Sequence, residues 1–233
     1  MSYKAEYHFP RTLEETAEIC SRLGGNVLFL AGGTEINSSG FAGSGSDVIS
    51  LLALPLRDIA STENGWIRIG AMVTMQELIE SDLVPELLKE GARGMANRNI
   101  RNMATIGGNI GTGKSCSSLL PALIALHAQY ETAGKRGILP TGLPDYAGNG
   151  IERGMLITHI LLPGPDAGIA ACYRKFSRTT NDIAVVSAAV SFVPSRDYPF
   201  EKAVVAVGCL GPRVQRMTLL EDELRRAADI PSE

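Results

Sequence analysis

The stretch GGNIGTGKSCSS, Gly107–Ser118, contains a G-x-x-x-x-G-K-S string formed by Gly108, Gly113, Lys114 and Ser115. Such a string binds nucleoside phosphates when it joins a buried strand to a helix whose N-terminus faces the phosphate. The setting here is wrong for that. RNIRNMATIG, which leads into it, places Asn99, Arg101, Asn102 and Thr105 where a central parallel strand is nearly all aliphatic. No later strand ends in an aspartate for magnesium, since MLITHILLP closes on Pro163. A P-loop triphosphatase therefore stays a remote alternative, with Lys114 assigned to solvent.

A second glycine pair changes the reading. LAGGTEI, Leu30–Ile36, follows the strand candidate NVLFL and matches ATIGGN in design: paired glycines beside a short polar side chain. Adjacent glycines let backbone N–H groups approach an anion without Cβ obstruction. One such turn is an ordinary loop. Two of them can clamp a diphosphate from both sides.

The rest of the chain reads as mixed α and β. Thr12–Leu23 is an amphipathic helix with a Thr12/Glu15 capping box, stopped at Gly24. VISLL and WIRIGA are strands; Thr74 and Glu77 open a second capped helix, and Pro85 a third. SSLLPALIALHAQY is a buried helix with Pro121 in its first turn, and AQYETAGKRGILP is a hairpin around Gly134. MLITHILLP, DIAVVSAAVSFV and KAVVAVG are strands, the last two joined by a polar turn with Pro194, Asp197 and Pro199, before a helix over Leu219–Ala228. The internal boundary falls in PGPDAG, Pro163–Gly168.

Composition sets the class. With 233 residues, 45% hydrophobic content, 20% charge and a net charge of −3, the chain is a soluble globular protein with no basic stripe for nucleic acid. There is no apolar leader and no run near the ~20 apolar residues of a membrane span, so a cytoplasmic location is expected. Cys20, Cys116, Cys172 and Cys209 form no C-x-x-C pair and no zinc or iron–sulfur set. Cys20 and Cys209 read as small buried hydrophobes, and Cys116 as a loop thiol with no base beside it. His8, His127 and His159 show no partner pattern, and His127 reads as a cap or core residue.

LFLAGGTEI, NIRNMATIGGNIGTG, SLLPALIALHA and YRKFSRTTNDIAVVSAAV occur in the order found in the FAD-binding subunit of the molybdenum hydroxylases, the family of xanthine dehydrogenase and carbon monoxide dehydrogenase. The chain resembles that family over nearly its whole length. The resemblance implies an α+β protein. A two-lobed FAD-binding domain of the p-cresol methylhydroxylase and vanillyl-alcohol oxidase type would span 1–165, with lobes 1–54 and 55–165. A shortened C-terminal domain would span 166–233, and its early end bears on docking to partners.

Carried over by position, the resemblance assigns Leu30, Ala31, Gly32, Gly33, Thr34, Glu35 and Ile36 to the first pyrophosphate loop. It assigns Thr105, Ile106, Gly107, Gly108 and Asn109 to the second, with Thr112, Ser118, Asp182 and Ile183 also at the cofactor. Thr34 and Thr105 would offer hydroxyls, Asn109 an amide and the glycines backbone N–H groups, so a valine at Gly32 or Gly107 would strip the flavin and leave most of the fold intact. Arg101 and Asn102 would hold the second loop in shape. Lys175, Arg178 and Asp182 match a segment beside the isoalloxazine; Arg178 and Asp182 read equally well as an exposed ion pair on a turn.

Two departures stand out. The relatives' helix-entry aspartate is replaced by Ser115 and Ser118, and His127 stands where relatives have an aspartate. The activity implied is electron transfer from a separate [2Fe-2S] chain, fed by a molybdenum-cofactor chain, through FAD to NAD+ or another acceptor. An FAD-binding scaffold without redox turnover is the alternative. No metal site of the chain's own is expected.

Overall fold

The computed structural model describes residues 5–38, 46–133, 135–138, 154–164, 168–194 and 200–226. Three sheets carry the architecture. The first is parallel, in the order β1-β3-β2, from β1 (Tyr7–His8), β2 (Val27–Leu30) and β3 (Asp47–Ser50). Helix α1 (Leu13–Arg22) connects β1 to β2. The Thr12 hydroxyl accepts from Glu15 N at 3.1 Å, while the Glu15 carboxylate reaches one residue further back, to Arg11 N at 2.8 Å. The helix stops at Gly24, whose φ of 60° a side chain would resist. Leu13, Ile19 and Leu23 pack on a core of Val27, Ile49, Leu51 and Leu56.

The second sheet is antiparallel, ordered β4-β5-β8-β6-β7, from β4 (Ile59–Ser61), β5 (Ile67–Gly70), β6 (Gln129–Thr132), β7 (Lys135–Ile138) and β8 (Ile157–Leu162). β6 and β7 form the expected hairpin. Between β5 and β6 lie helices α2 (Met75–Glu80), α3 (Glu86–Arg93), α4 (Arg98–Arg101), α5 (Ile106–Gly111) and α6 (Leu120–Ala125). Thr74 and Glu77 form a full capping box on α2, and Pro85 precedes α3. α6 is shorter than its apolar stretch, yet every one of its residues is buried, with Pro121 in the first turn. Each Leu or Ile hidden there contributes roughly 1.5–3 kcal/mol of transfer free energy.

The third sheet runs β12-β11-β10-β9, from β9 (Ala170–Phe176), β10 (Val186–Val193), β11 (Glu201–Gly208) and β12 (Gln215–Arg216). β9 has no counterpart in the sequence reading, because Arg174 and Lys175 interrupt its apolar pattern. A last helix, Thr218–Arg226, packs on β11; Ala227 and Ala228 of the expected helix lie outside the described residues, as do Gly134, residues 165–167 of the expected boundary and the turn with Asp197 and Pro199. α6 packs on β10 and β11, and the larger apolar core runs without a break from Ile67 to Val204 and Val214. No helix among the described residues is long and apolar enough to cross a membrane.

The P-loop alternative fails on this architecture. The string at Gly108 begins inside α5, and what precedes it is α4 and a turn rather than a strand. Two histidines also depart from expectation. His8 Nε2 lies 3.2 Å from buried Asp47, and His159 is buried against Arg68, Glu131 and Asp58. His127 is not in the core but caps α6: exposed and left-handed at φ 53°, it donates its N–H to Ile124 O, and Ala128 N donates to Leu123 O, each at 3.0 Å.

Candidate functional site

A single cavity of about 960 Å³ is walled by both glycine segments, by the chain from Gly111 to Ser118, and by pieces of all three sheets. The first turn follows directly from the end of β2. Gly33 adopts φ 70°, and its carbonyl accepts from Asn37 N at 3.0 Å. Among the described residues, the backbone N–H groups of Gly32, Gly33, Thr34 and Glu35 have no acceptor. A row of idle N–H donors at a left-handed turn is a ready anion site.

The second segment behaves differently from the expectation of a matching turn. It is helix α5, capped by Thr105, whose hydroxyl accepts from Gly108 N at 3.1 Å. Ile106 N and Gly107 N donate to Val73 O and Ala71 O, each at 2.9 Å, and Asn109 N to Thr105 O at 2.9 Å. These backbone donors are engaged within the protein. What the segment offers the cavity is the Asn109 amide, held by Ser117 Oγ donating to its Oδ1 at 2.5 Å, and the hydrogen of the Thr105 hydroxyl.

The glycines themselves answer to protein contacts. A Cβ on Gly32 would lie 1.6 Å from Met103 O, and one on Gly107 would lie 2.6 Å from the Ala71 methyl. The two segments abut at Gly32, so a valine at either position would strike the fold before it struck a phosphate. This corrects the expectation drawn for both substitutions. Lys114 is exposed, as expected, but its Nζ also meets Glu35 Oε1 at 2.5 Å, tying the string that follows α5 to the first turn.

Most of the expected site residues reach this cavity. Ala31, Gly32, Gly33, Thr34, Glu35, Ile36, Thr105, Gly107, Gly108, Asn109, Thr112, Ser118, Lys175, Asp182 and Ile183 line it; Leu30, Ile106 and Arg178 do not. Ile106 is fully buried in the core. Lys175 is not a loose cation. Its Nζ donates to Gly94 O, Thr180 O and Asp182 O at 2.8, 3.1 and 2.6 Å, which uses all of an ammonium's donors, and burial pushes its pKa down. Arg178 pairs with Asp182 at 3.4 Å from a largely exposed position. Arg101 donates to Met95 O and Ala96 O, both at 3.1 Å, and so braces a cavity segment other than the loop that the sequence reading gave it.

Sequence reasoning missed Met95, Ala96, Cys116, Leu156, Ile157 and Tyr173 as wall residues. Cys116 was noted only as a loop thiol, and Tyr173 lies in a run whose charges hid the strand. The Ser118 hydroxyl is buried without a hydrogen-bond partner, while the Tyr173 hydroxyl lies beside that of Ser187, and burial pushes the Tyr173 pKa up to about 12. Unpartnered buried hydroxyls are uncommon and mark a place where a ligand atom belongs.

A cavity at the upper end of the ~300–1,000 Å³ seen for cofactor sites suits a long molecule with an anionic centre. The first turn supplies idle N–H donors for the anion, and Ser118 and Tyr173 supply hydroxyls for polar atoms elsewhere on it. Fold and site together define a mixed α/β dinucleotide-binding protein, and FAD fits the donor set.

Residues 2–165 match the family model described as the FAD binding domain in molybdopterin dehydrogenase, and the chain belongs to that family. Similar proteins include Escherichia coli K12 YgfM, described as uncharacterized, at 32% identity over 80% of this chain and 69% of that protein. The carbon monoxide dehydrogenase medium chain of Afipia carboxidovorans is 31% identical over 79% of this chain and 67% of its own. A solved carbon monoxide dehydrogenase from Hydrogenophaga pseudoflava superposes with a TM-score of 0.85 at 26% identity, over 99% of this chain and 83% of that one.

Proposed function

We propose that the chain is the FAD-binding electron-transfer subunit of a molybdenum hydroxylase complex. It would take electrons from a [2Fe-2S] chain fed by a molybdenum-cofactor chain and deliver them to NAD+ or another acceptor. The relatives named carbon monoxide dehydrogenase medium chain and caffeine dehydrogenase subunit beta support the setting. The FAD-binding domain would be 1–165, with lobes 1–54 and 55–165 of the p-cresol methylhydroxylase type, followed by 166–233. FAD, when bound, supplies a carrier that exchanges electrons singly or in pairs.

One observation carries the reading: two glycine segments remote in sequence abut, at Gly32 and Met103, on the wall of one large cavity. The N–H groups of Gly32–Glu35 would receive the diphosphate, with Asn109 and Thr105 facing it from the second segment. Ser118 and Tyr173 would bond polar atoms of the flavin end. Lys175, locked by three carbonyls, holds the Gly94 and Asp182 sides of the wall at a fixed spacing. Asp182 and Ile183 would lie beside the ring.

The test is the purified chain. It should be yellow, release stoichiometric FAD on denaturation, and co-purify with an iron–sulfur chain and a molybdenum chain. Colourless protein that takes up no added FAD overturns the reading. FAD without any redox partner leaves the scaffold role instead.

A further inference from the structure

The four cysteines are free thiols, and two of them, Cys116 and Cys209, lie at one junction. Cys209 follows the end of β11. Its backbone N donates to Ser115 O at 3.0 Å, and its Sγ lies 3.7 Å from the same oxygen. That carbonyl belongs to the residue immediately before Cys116. Standard bond lengths put a carbonyl oxygen about 3 Å from the next Cα. The Cα atoms of Cys116 and Cys209 are therefore at most about 7.5 Å apart with that path fully straight, and any bend in it brings them toward the ~4.4–6.8 Å spanned by disulfides. Both side chains are half-buried, and Cys116 lines the cavity. Cys209 also holds a left-handed φ of 68°, rare for a residue with a side chain.

We propose that Cys116 and Cys209 are a modification site, an oxidisable dithiol that closes to a reversible disulfide stapling the cavity wall to the third sheet. The oxidant class is a peroxide. The Cys116 thiolate, on the open cavity side, attacks one peroxide oxygen, giving a sulfenic acid and hydroxide, which takes up the proton the thiol had lost and leaves as water. The Cys209 thiol then attacks that sulfur, forming the S–S bond and releasing a second water. Two thiols and one hydrogen peroxide thus become one disulfide and two waters, the sulfurs losing the electron pair that the peroxide gains. Burial and the neighbouring Cys116 push the Cys209 pKa up, so Cys209 is not the first thiol to react with peroxide and its part is the second, resolving step.

The staple would reinforce a junction already drawn together. Arg213 Nη1 donates to Gly113 O at 2.8 Å, and Gly208 approaches Ser115 O so closely that a Cβ there would lie 2.7 Å from it. Lys114, Ser117 and Ser118 sit on the segment thereby fixed. A pair of this kind in a reduced compartment is transient and redox-responsive, not structural.

The experiment uses the full chain, reduced with dithiothreitol, exchanged, and treated with hydrogen peroxide at doses that leave its circular dichroism unchanged. Free thiols are then blocked and non-reduced peptides read by mass spectrometry. The expected result is a linked Cys116–Cys209 peptide in most molecules, lost on dithiothreitol, absent from C116S and C209S and kept in C172S and C20S. Cys116 and Cys209 recovered separately blocked, oxidised individually to sulfonic acids, or paired instead with Cys172 or Cys20 would overturn the proposal. None of these readouts requires bound flavin.

Discussion

Adding one methyl group at Gly32 tests whether contact between the two glycine segments is what shapes the cavity. In Gly32→Ala the new Cβ would lie 1.6 Å from Met103 O and 2.5 Å from Met103 C, whereas real Cβ contacts essentially never fall below 3.0 Å. The segments must part by about 1.4 Å or more. Both colliding atoms are backbone, so no flexible side chain absorbs the strain. Overpacking of this kind costs ~1–3 kcal/mol, and the rigid partners place it near the upper end. For a chain of this size ~3 kcal/mol lowers Tm by roughly 6–12 °C. Parting the segments also separates the N–H donors of the first turn from Asn109, and losing one charge-assisted hydrogen bond of ~1.5–3 kcal/mol weakens FAD binding about 10- to 100-fold.

The matched control is Gly111→Ala on the same cavity wall, where an added Cβ meets nothing within 4 Å. Alanine within a helix is favoured over glycine by about 0.5–1 kcal/mol, so this variant should keep or gain stability. Scanning calorimetry and flavin-fluorescence titration read both quantities. A Gly32→Ala protein with wild-type Tm and FAD affinity, or a Gly111→Ala protein equally damaged, would refute the reasoning.

Ser118→Ala should act with opposite signs on the two states: the flavin-free protein keeps or slightly raises its Tm, because an unpartnered buried hydroxyl is removed, while FAD affinity falls about 5- to 10-fold, the loss of ~1 kcal/mol. His159 is kept neutral by burial and by the Arg68 guanidinium, whose Nη2 donates to Nδ1 at 2.8 Å, with Asp58 and Glu131 pulling the other way. Its folded pKa lies below the unfolded value near 6.5, so the stability it gives is complete above about pH 6.5 and is lost as pH falls through the folded pKa. Tm measured from about pH 7.5 to 5.5 should decline, and His159→Asn should flatten that slope. Glu221, 1% exposed, accepts from Val205 N at 2.9 Å and Arg216 Nε at 2.7 Å; Glu221→Ala should cost about 3 kcal/mol in urea unfolding and leave flavin affinity unchanged.

Local chemistry was legible wherever a signal and its effect lie within a few residues. Thr12, Thr74 and Pro85 mark helix starts because capping is an i to i+3 matter, and the Gly134 hairpin and β8 follow from apolar pattern and breakers. α5 was hidden for the opposite reason. Gly107 and Gly108 argue against a helix, and what forms it is the Thr105 cap together with bonds to Ala71 O and Val73 O from a distant segment. The partners of His159 were invisible until β6, β8 and β5 were placed side by side, which sets Glu131 directly opposite His159. Lys114 and Glu35, 79 positions apart, could not be matched by reading along the chain. The cavity-wall residues of the second segment were identified through the family pattern, yet the reason for their glycines was not, because Cβ space is a property of the neighbour.

The unbroken apolar cluster through α6 bears on how the chain comes apart. Leu119, Leu120, Leu123 and Ala125 are fully hidden where α6 packs on α3, β10 and β11, and Ala189, Val204 and Ala206 belong to the same cluster. A polypeptide severed near the proline–glycine boundary would wet that surface on both pieces. The second and third sheets thus melt together, in one calorimetric transition, and exchanging the last quarter of the chain between relatives requires exchanging the underside of α6 with it.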